Sequence, residues 1–301
     1  MRILITDGMD KAAIAKLREL GHDVVEQFYE PDLLGAALKD FDACVVRSKT
    51  KVRENHIKEA KEGKLRLIIR GGVGVDNIDV KYAESVGIAV RNTPNASSQS
   101  VAELALGHMF ACCRYISVAG ATMREDKWEK KVYGKGVELQ GKILGIIGPG
   151  RIGKCLASMA QGIGMTVMAT SRSRTSGVDA ETGIRYATMD ELLAHADFIS
   201  LHAPAGEKPI VTAETIAKMK DGVVIVNTSR GSNIDEAALL EALNSGKVRA
   251  AGLDVYAEEP TANRELYSHP MVSCTPHIGA ATGEAQKRIG AEVVKIIEEF
   301  K

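Results

Sequence analysis

The chain has 301 residues, a formal net charge of zero, 45% hydrophobic residues and only 4% aromatic ones. With balanced charge, no broad basic face advertises nucleic acid or an anionic membrane as partner. The length suits two domains, with cores built from Val, Ile, Leu, Ala and Met in place of aromatics.

The N-terminus, residues 2–6, reads as a strand running into a turn, interrupted by charge too soon for a secretion signal. Further strands are expected at 24–26, 43–47, 67–69 and 89–91, each separated by a helical stretch. Within 97–116, Ser100-Val-Ala-Glu103 fits a capping box, and 104–116 is apolar nearly all round. A helix of that kind is buried on several sides, as at a domain junction or a subunit interface. The charged stretch 124–140 reads as a solvated face, although it holds the only tryptophan, Trp128, a residue type that favours interfaces. Six more strands are expected at 142–147, 166–170, 198–202, 223–227, 250–255 and 272–275, before a final helix at 283–300. This alternation predicts an α/β chain with two doubly wound parallel sheets, of five and six strands. No apolar stretch approaches the length of a membrane span. The five cysteines (Cys44, Cys112, Cys113, Cys155 and Cys274) are odd in number, mostly in apolar runs, and form no C-x-x-C. They predict free buried thiols in a reducing cytoplasm, and no histidine–cysteine spacing predicts a metal.

Gly148-Pro-Gly-Arg-Ile-Gly153 follows one of the expected strands and opens a helical run at 154–161. In that context the three glycines predict a dinucleotide site. The first makes a tight turn, the second admits a pyrophosphate, and the third packs the helix against the strand. The helix N-terminus adds free amides and partial positive charge. A strand–helix turn with no ligand is the alternative. A P-loop is disfavoured because Cys155 stands where that motif needs a magnesium-binding hydroxyl.

Taken with this motif, a series of ordered matches along the chain resembles the D-2-hydroxyacid dehydrogenase family, and most closely its phosphoglycerate dehydrogenase branch in a short form. They are Val-Val-Arg-Ser-Lys-Thr-Lys-Val (45–52), Arg-Gly-Gly-Val-Gly-Val-Asp-Asn-Ile-Asp (70–79), Asn-Thr-Pro-Asn (92–95), Ser-Val-Ala-Glu-Leu (100–104) and Lys-Trp-Glu-Lys-Lys (127–131). Val-Asn-Thr-Ser-Arg-Gly (226–231), Gly-Leu-Asp-Val-Tyr-Ala-Glu-Glu-Pro (252–260) and Thr-Pro-His-Ile-Gly-Ala-Ala-Thr (275–282) complete the series.

The resemblance implies a Rossmann nucleotide domain (97–276) inserted into a discontinuous, flavodoxin-like substrate domain (1–96 and 277–301). It also implies an active site in the cleft between them and a homodimer through the nucleotide domains. Arg230 is expected to hold the substrate carboxylate and the nascent carbonyl through its fork of donors. His277 is expected to move the hydroxyl proton, and Glu259 to orient the imidazole, with the adjacent Glu258 as the alternative. Gly148, Gly150, Arg151, Ile152, Gly153, Ser171, Arg172, Ala203, Pro204, Thr228, Asp254, His277 and Gly279 are implied as cofactor contacts, Asp254 beside the nicotinamide carboxamide. Arg47, Ser48, Arg70, Val73 and Gly74, with Arg230, are implied as substrate contacts. Amides around Val73 and Gly74 can form an anion nest, and two arginines ending neighbouring strands suit a phosphate. Lys130 stands where the branch often has arginine reaching a partner subunit.

One departure bears on the cofactor. After the second strand of the nucleotide domain, Ser171 replaces the acidic residue of the NAD pattern, and Arg172 and Arg174 follow. Loss of the acid removes repulsion and the arginines offer phosphate partners, so NADP is favoured over NAD. The alternative is a Ser171 that bonds the NAD ribose while the arginines face solvent. The leading expectation is reversible oxidation of 3-phosphoglycerate to phosphohydroxypyruvate, the entry to serine synthesis, with insensitivity to serine because no regulatory domain follows the last helix. A glyoxylate or hydroxypyruvate reductase of the same family is the first alternative. A nucleotide-sensing, corepressor-like binding protein is the alternative of another class.

Overall fold

The computed structural model describes residues 1–300, and the chain divides into two compact units, Met1–Ser97 with Ala280–Lys301 and Ser98–Gly279. The first unit carries β1 (Arg2–Ile5), α1 (Lys11–Glu19), β2 (Asp23–Glu26), α2 (Pro31–Leu38), β3 (Ala43–Val46), α3 (Glu54–Ala60), β4 (Leu67–Arg70), α4 (Val80–Ser85) and β5 (Ala89–Asn92). All pairings are parallel and the order is β2-β1-β3-β4-β5, the flavodoxin-like arrangement. Strands such as Ala-Cys-Val-Val in β3 are buried at every position, as a sheet covered on both faces requires. Alternate residues feed opposite cores: Leu4 and Ile68 pack with Leu34 and Ile57, whereas Ile3 and Ile69 pack with Leu17 and Ile289 of the C-terminal helix Gly283–Glu299.

The second unit carries α5 (Ser98–Arg114), α6 (Ile116–Met123), β6 (Ile143–Ile147), α7 (Arg151–Gly162), β7 (Thr166–Thr170), β8 (Arg185–Tyr186), α8 (Met189–His195), β9 (Phe198–Leu201), α9 (Ala213–Lys218), β10 (Val223–Asn227), α10 (Glu236–Ser245), β11 (Val248–Leu253), α11 (Arg264–Tyr267) and β12 (Val272–Cys274). Its parallel sheet runs β12-β11-β10-β9-β6-β7-β8, the Rossmann order with an added edge, and reverses direction of winding between β6 and β9. Ligands of such sheets bind beyond the strands' carboxyl ends at that reversal.

Three expectations need correction. The second sheet has seven strands, not six, because the two-residue β8 pairs along Met168 and Ala169. Such a strand is too short to show a periodic signal. Ser100 is not a helix cap: α5 starts at Ser98, and the Ser100 hydroxyl donates instead to the Gly279 carbonyl at 2.6 Å. Finally, the apolar helix stops at Arg114. Tyr115 turns left-handed (φ 57°) and α6 leaves at 64° to α5. Among the described residues no single helix is long and apolar enough to cross a membrane. Cys44, Cys112 and Cys113 are buried thiols as expected, but Cys274 is exposed.

Candidate active site

The glycine turn after β6 has the geometry its three glycines predict. Gly148 sits at φ 86°, and a Cβ there would lie 2.7 Å from the Ala203 nitrogen, so the loop after β9 closes directly over it. A Cβ on Gly150 would meet open space, and α7 begins there with no side-chain cap, which leaves its first amides facing outward. A Cβ on Gly153 would touch Ile146 at 3.0 Å, so α7 packs tightly on β6. Arg151 is exposed and Ile152 half-buried on the first turn of α7. The Gly148 amide donates to the Thr170 carbonyl, which sets Ser171 beside the turn.

Ser171 and Arg174 close a tight turn by mutual backbone bonds, and the Ser171 hydroxyl also accepts from the Arg174 amide at 3.1 Å. The Arg174 guanidinium donates to Asp179 and to the Val178 carbonyl, and stacks on the Tyr186 ring. Arg174 is therefore committed to the fold, contrary to its expected role as a phosphate partner. Arg172 alone of the two is exposed beside Ser171.

The loop after β10 carries Thr228 and Arg230. Asn227 accepts from the Ser229 amide and hydroxyl through Oδ1 and donates to the Arg230 carbonyl through Nδ2. Fully buried Asn233 donates to the Ser229 hydroxyl and to the Ala203 carbonyl, tying the loops after β9 and β10 together. Pro204 next to it is exposed. A Cβ on Gly231 would fall 1.8 Å from the Tyr256 carbonyl oxygen, so only glycine lets the arginine loop lie against the loop after β11. Asn227, Ser229 and Asn233 were not singled out from sequence. Only Asn227 left a signal, a polar side chain ending a strand of buried apolar residues, Val-Val-Ile-Val-Asn.

After β11 and β12 come the titratable groups. His277 Nδ1 meets Glu259 Oε2 at 2.6 Å, with both side chains 36% exposed. It is Glu259, not Glu258, that makes this pair. Glu259 Oε1 accepts from the Tyr256 amide. Burial raises the Glu259 carboxyl, but the hydrogen bond and charge of His277, the Tyr256 amide and the Arg230 charge outweigh it and hold the group below its ordinary range. Asp254 is 1% exposed and accepts from Thr275 Oγ1, the Ile278 amide and the Gly279 amide. Both of its oxygens are thus engaged in holding the loop around His277. The same bonds place Gly279 with the second unit.

In the first unit, Arg47 follows β3 and Arg70 ends β4, where Val46 pairs with Arg70. Asp7 accepts from the Arg47 and Thr50 amides and the Thr50 hydroxyl, and Asn77 donates to both carbonyls, so the Arg47–Thr50 loop is rigid. Exposed Ser48 lies within it. Burial lowers the Arg47 guanidinium from its ordinary value, partly offset by the Asp7 charge. The Arg70 guanidinium folds back to the Gly71 carbonyl, across a position where any Cβ on Gly72 would collide with it. Asn92 holds the Val73 carbonyl, leaving Val73 and Gly74 at the surface of the same loop. Lys130 and Trp128 lie exposed in the loop between α6 and β6.

The second unit fits a nicotinamide dinucleotide. It combines an uncapped helix start, a glycine whose Cβ direction is open, and the buried Thr228 Oγ1, which has no hydrogen-bond partner among the described residues. Comparison with known proteins agrees. The NAD-binding domain of D-isomer specific 2-hydroxyacid dehydrogenases matches residues 106–279. A hydroxypyruvate reductase of Thermotoga maritima is 47% identical over 99% of this chain and 98% of its own length. A D-3-phosphoglycerate dehydrogenase of Methanocaldococcus jannaschii is 44% identical over 99% of this chain, which spans 57% of that relative's length. Among solved structures, an acyclic imino acid reductase in complex with NADPH and D-Arg matches with a TM-score of 0.89 at 29% identity, covering 100% of this chain and 97% of that one. An NAD-dependent formate dehydrogenase from Staphylococcus aureus in complex with NAD matches at 0.88 and 27% identity, covering 100% and 95%. With its fold, its glycine turn and these matches over nearly the whole length, the chain belongs to the D-2-hydroxyacid dehydrogenase family.

Proposed function

We propose that the protein interconverts 3-phosphoglycerate and phosphohydroxypyruvate, with NADP preferred over NAD, in a reducing cytoplasm. Arg47 carries the choice of a phosphorylated substrate. Its guanidinium is half-buried, makes no hydrogen bond or ion pair among the described residues, and directly follows β3, the strand next to the one that ends in Arg70. The charge of Asp7 only partly offsets the cost of burying this cation, so an arriving anion is favoured. Ser48 and the amides of Val73 and Gly74 would add donors to the same anion.

A nicotinamide held by the glycine turn and the loops after β7, β9 and β10 would supply the hydride chemistry at C2 of the substrate. Arg230 binds the carboxylate and draws electron density from the C2 oxygen. His277 has Nδ1 committed to Glu259, so Nε2 takes the hydroxyl proton in oxidation and gives it back in reduction. Glu259 fixes the ring and stabilises its charged form. Gly148, Gly150, Arg151, Ile152 and Gly153 would hold the pyrophosphate, Ser171 and Arg172 the ribose side, and Ala203, Pro204, Thr228 and Gly279 the remaining surface. The apolar face of α6 supports a homodimer.

A second reading is an unphosphorylated substrate, hydroxypyruvate, which the full-length likeness to the Thermotoga maritima reductase favours. Oxidation of NADPH and NADH is followed with phosphohydroxypyruvate, hydroxypyruvate and glyoxylate, in wild type and Arg47→Ala. The phosphorylated reading expects kcat/KM for phosphohydroxypyruvate to fall about 100-fold in Arg47→Ala, with the other acids little changed. Faster wild-type reduction of hydroxypyruvate, untouched by the substitution, overturns it.

A further inference from the structure

Behind the loop that carries His277 lies a chain of hydrogen bonds that the reaction as described does not use. Ser117 Oγ meets Ser273 Oγ at 3.2 Å, and Ser273 Oγ meets His108 Nδ1 at 2.9 Å. His108 Nε2 meets Thr275 Oγ1 at 3.0 Å, and Thr275 Oγ1 meets Asp254 Oδ1 at 2.6 Å. Asp254 also receives the Ile278 and Gly279 amides at 2.8 and 2.9 Å, so three donors converge on it and it serves as a carboxylate.

Donor counting gives every link a direction. A carboxylate only accepts, so the single Thr275 hydroxyl hydrogen is spent on Asp254. Thr275 Oγ1 must then accept from His108, which puts the imidazole hydrogen on Nε2. Burial pushes the His108 imidazole below its ordinary range, against the raising effect of Asp254, so the ring is neutral and Nδ1 accepts from Ser273. Ser273 in turn accepts from Ser117. All the dipoles point toward Asp254, the arrangement in which successive hydrogen bonds strengthen one another.

The backbone is built to admit this chain. A Cβ on Gly252 in β11 would lie 2.5 Å from the His108 Cβ, so glycine there opens the place that the histidine fills. Thr275 is anchored on one side of His277, and Ile278 and Gly279 on the other. Pro276 between them has a ring-locked φ. Any slack in the anchors is therefore absorbed by His277 itself, which stands at φ 55°. A non-glycine residue holds that left-handed conformation only where its surroundings over-determine it.

We propose that His108 is a positioning residue: acting through Thr275 and Asp254, it holds His277 in the backbone conformation that aligns the imidazole with Glu259 and with the reacting oxygen. This rests on His277 being the acid–base group. The test uses NADPH or NADH oxidation with phosphohydroxypyruvate, hydroxypyruvate and glyoxylate in His108→Met, His108→Gln, Thr275→Val, Thr275→Ser, the His108→Met/Thr275→Val double variant and His277→Gln. His108→Met and Thr275→Val are each expected to lower kcat roughly tenfold, the loss of one buried hydrogen bond with its partner stranded. The dissociation constant of the nicotinamide nucleotide stays unchanged, and the primary deuterium isotope effect on kcat rises. His108→Gln keeps a donor for Thr275 and Thr275→Ser keeps the hydroxyl, so both stay within about threefold of wild type. The double variant loses no more than either single one, because both cut the same chain. Wild-type kcat in His108→Met and Thr275→Val, even with a lowered melting temperature, overturns the proposal, as do multiplicative losses in the double variant. If His277→Gln keeps activity, the acid–base reading itself has failed. If His277→Gln is inactive while His108→Met is not, only the positioning role has failed. Thr275→Val carries the test if His108→Met does not fold.

Discussion

His277 and Glu259, eighteen residues apart, are joined by a 2.6 Å hydrogen bond between Nδ1 and Oε2, and each side chain remains 36% exposed. The exposure lets the imidazole's other nitrogen reach a substrate. The bond removes the tautomer in which Nδ1 would face it. Glu259→Gln keeps the shape and removes the charge, so kcat is expected to fall about 10- to 100-fold, against about 100- to 10,000-fold for His277→Gln. The carboxyl is held below its ordinary range, burial working against the His277 bond and charge. The stability it contributes is therefore present above the unfolded carboxyl value and lost as pH falls through the folded one. Steady-state rates and acid-side melting curves of the two variants check both expectations.

The turn after β7 separates cofactor preference from fold stability. Ser171→Asp restores a ribose-binding acid that repels a 2′-phosphate, and is expected to lower kcat/KM for NADPH relative to NADH by about 100-fold. Arg172→Ala should weaken NADPH and leave NADH unaffected. Arg174→Ala removes the bonds to Asp179 and Val178 and the stacking on Tyr186. It is expected to lower stability by about 1 kcal/mol without moving the cofactor ratio. Parallel NADH and NADPH titrations with thermal melts distinguish the three.

His202 gives the second unit a defined acid sensitivity. Its imidazole is packed at the carboxyl edge of β9, with Nε2 bonded to the Ser200 hydroxyl and Nδ1 without a hydrogen-bond partner among the described residues. Burial lowers its pKa to about 4 from 6.5. Between those values the unfolded chain binds the proton and the folded one does not, so stability rises with pH across that window and is complete above it. The contribution lost on acidification is about 3 kcal/mol. His202→Leu is expected to flatten the dependence of melting temperature on pH between 6.5 and 4. An unchanged slope contradicts the assignment.

Much of this architecture was legible because parallel strands buried on both faces write themselves as short apolar runs, Ala-Cys-Val-Val and Val-Val-Ile-Val-Asn among them. The glycine turn was legible because each glycine answers a separate steric demand. What escaped were features set by partners distant in sequence. Ser100 looks like a cap within its own helix, yet its hydroxyl is claimed by Gly279, 179 residues on. Arg174 looks like a phosphate ligand until Asp179 and Tyr186 are seen to hold it. Asp254 follows its strand with nothing local to mark the bonds its oxygens accept from the His277 loop, 21 to 25 residues on. His108 sits in an apolar helix with nothing local to mark it, because Ser273 and Thr275 lie 165 and 167 residues away.

Helix α6 carries the last prediction. None of its residues is buried, although its composition is apolar: Ile116 is 58% and Met123 57% exposed, and Trp128 in the following loop is 79% exposed. Val132 continues the same exposed series. Apolar side chains clustered on one segment mark an interaction surface more often than scattered ones do. In a homodimer the same segment of a second copy can cover it. The wild type is therefore expected to sediment as a dimer at micromolar concentration. Ile116→Asp with Met123→Lys is expected to shift it to monomer while leaving the secondary structure intact, because neither side chain supports the core of its own chain. A monomeric wild type, or a dimer unaffected by both substitutions, places the interface elsewhere.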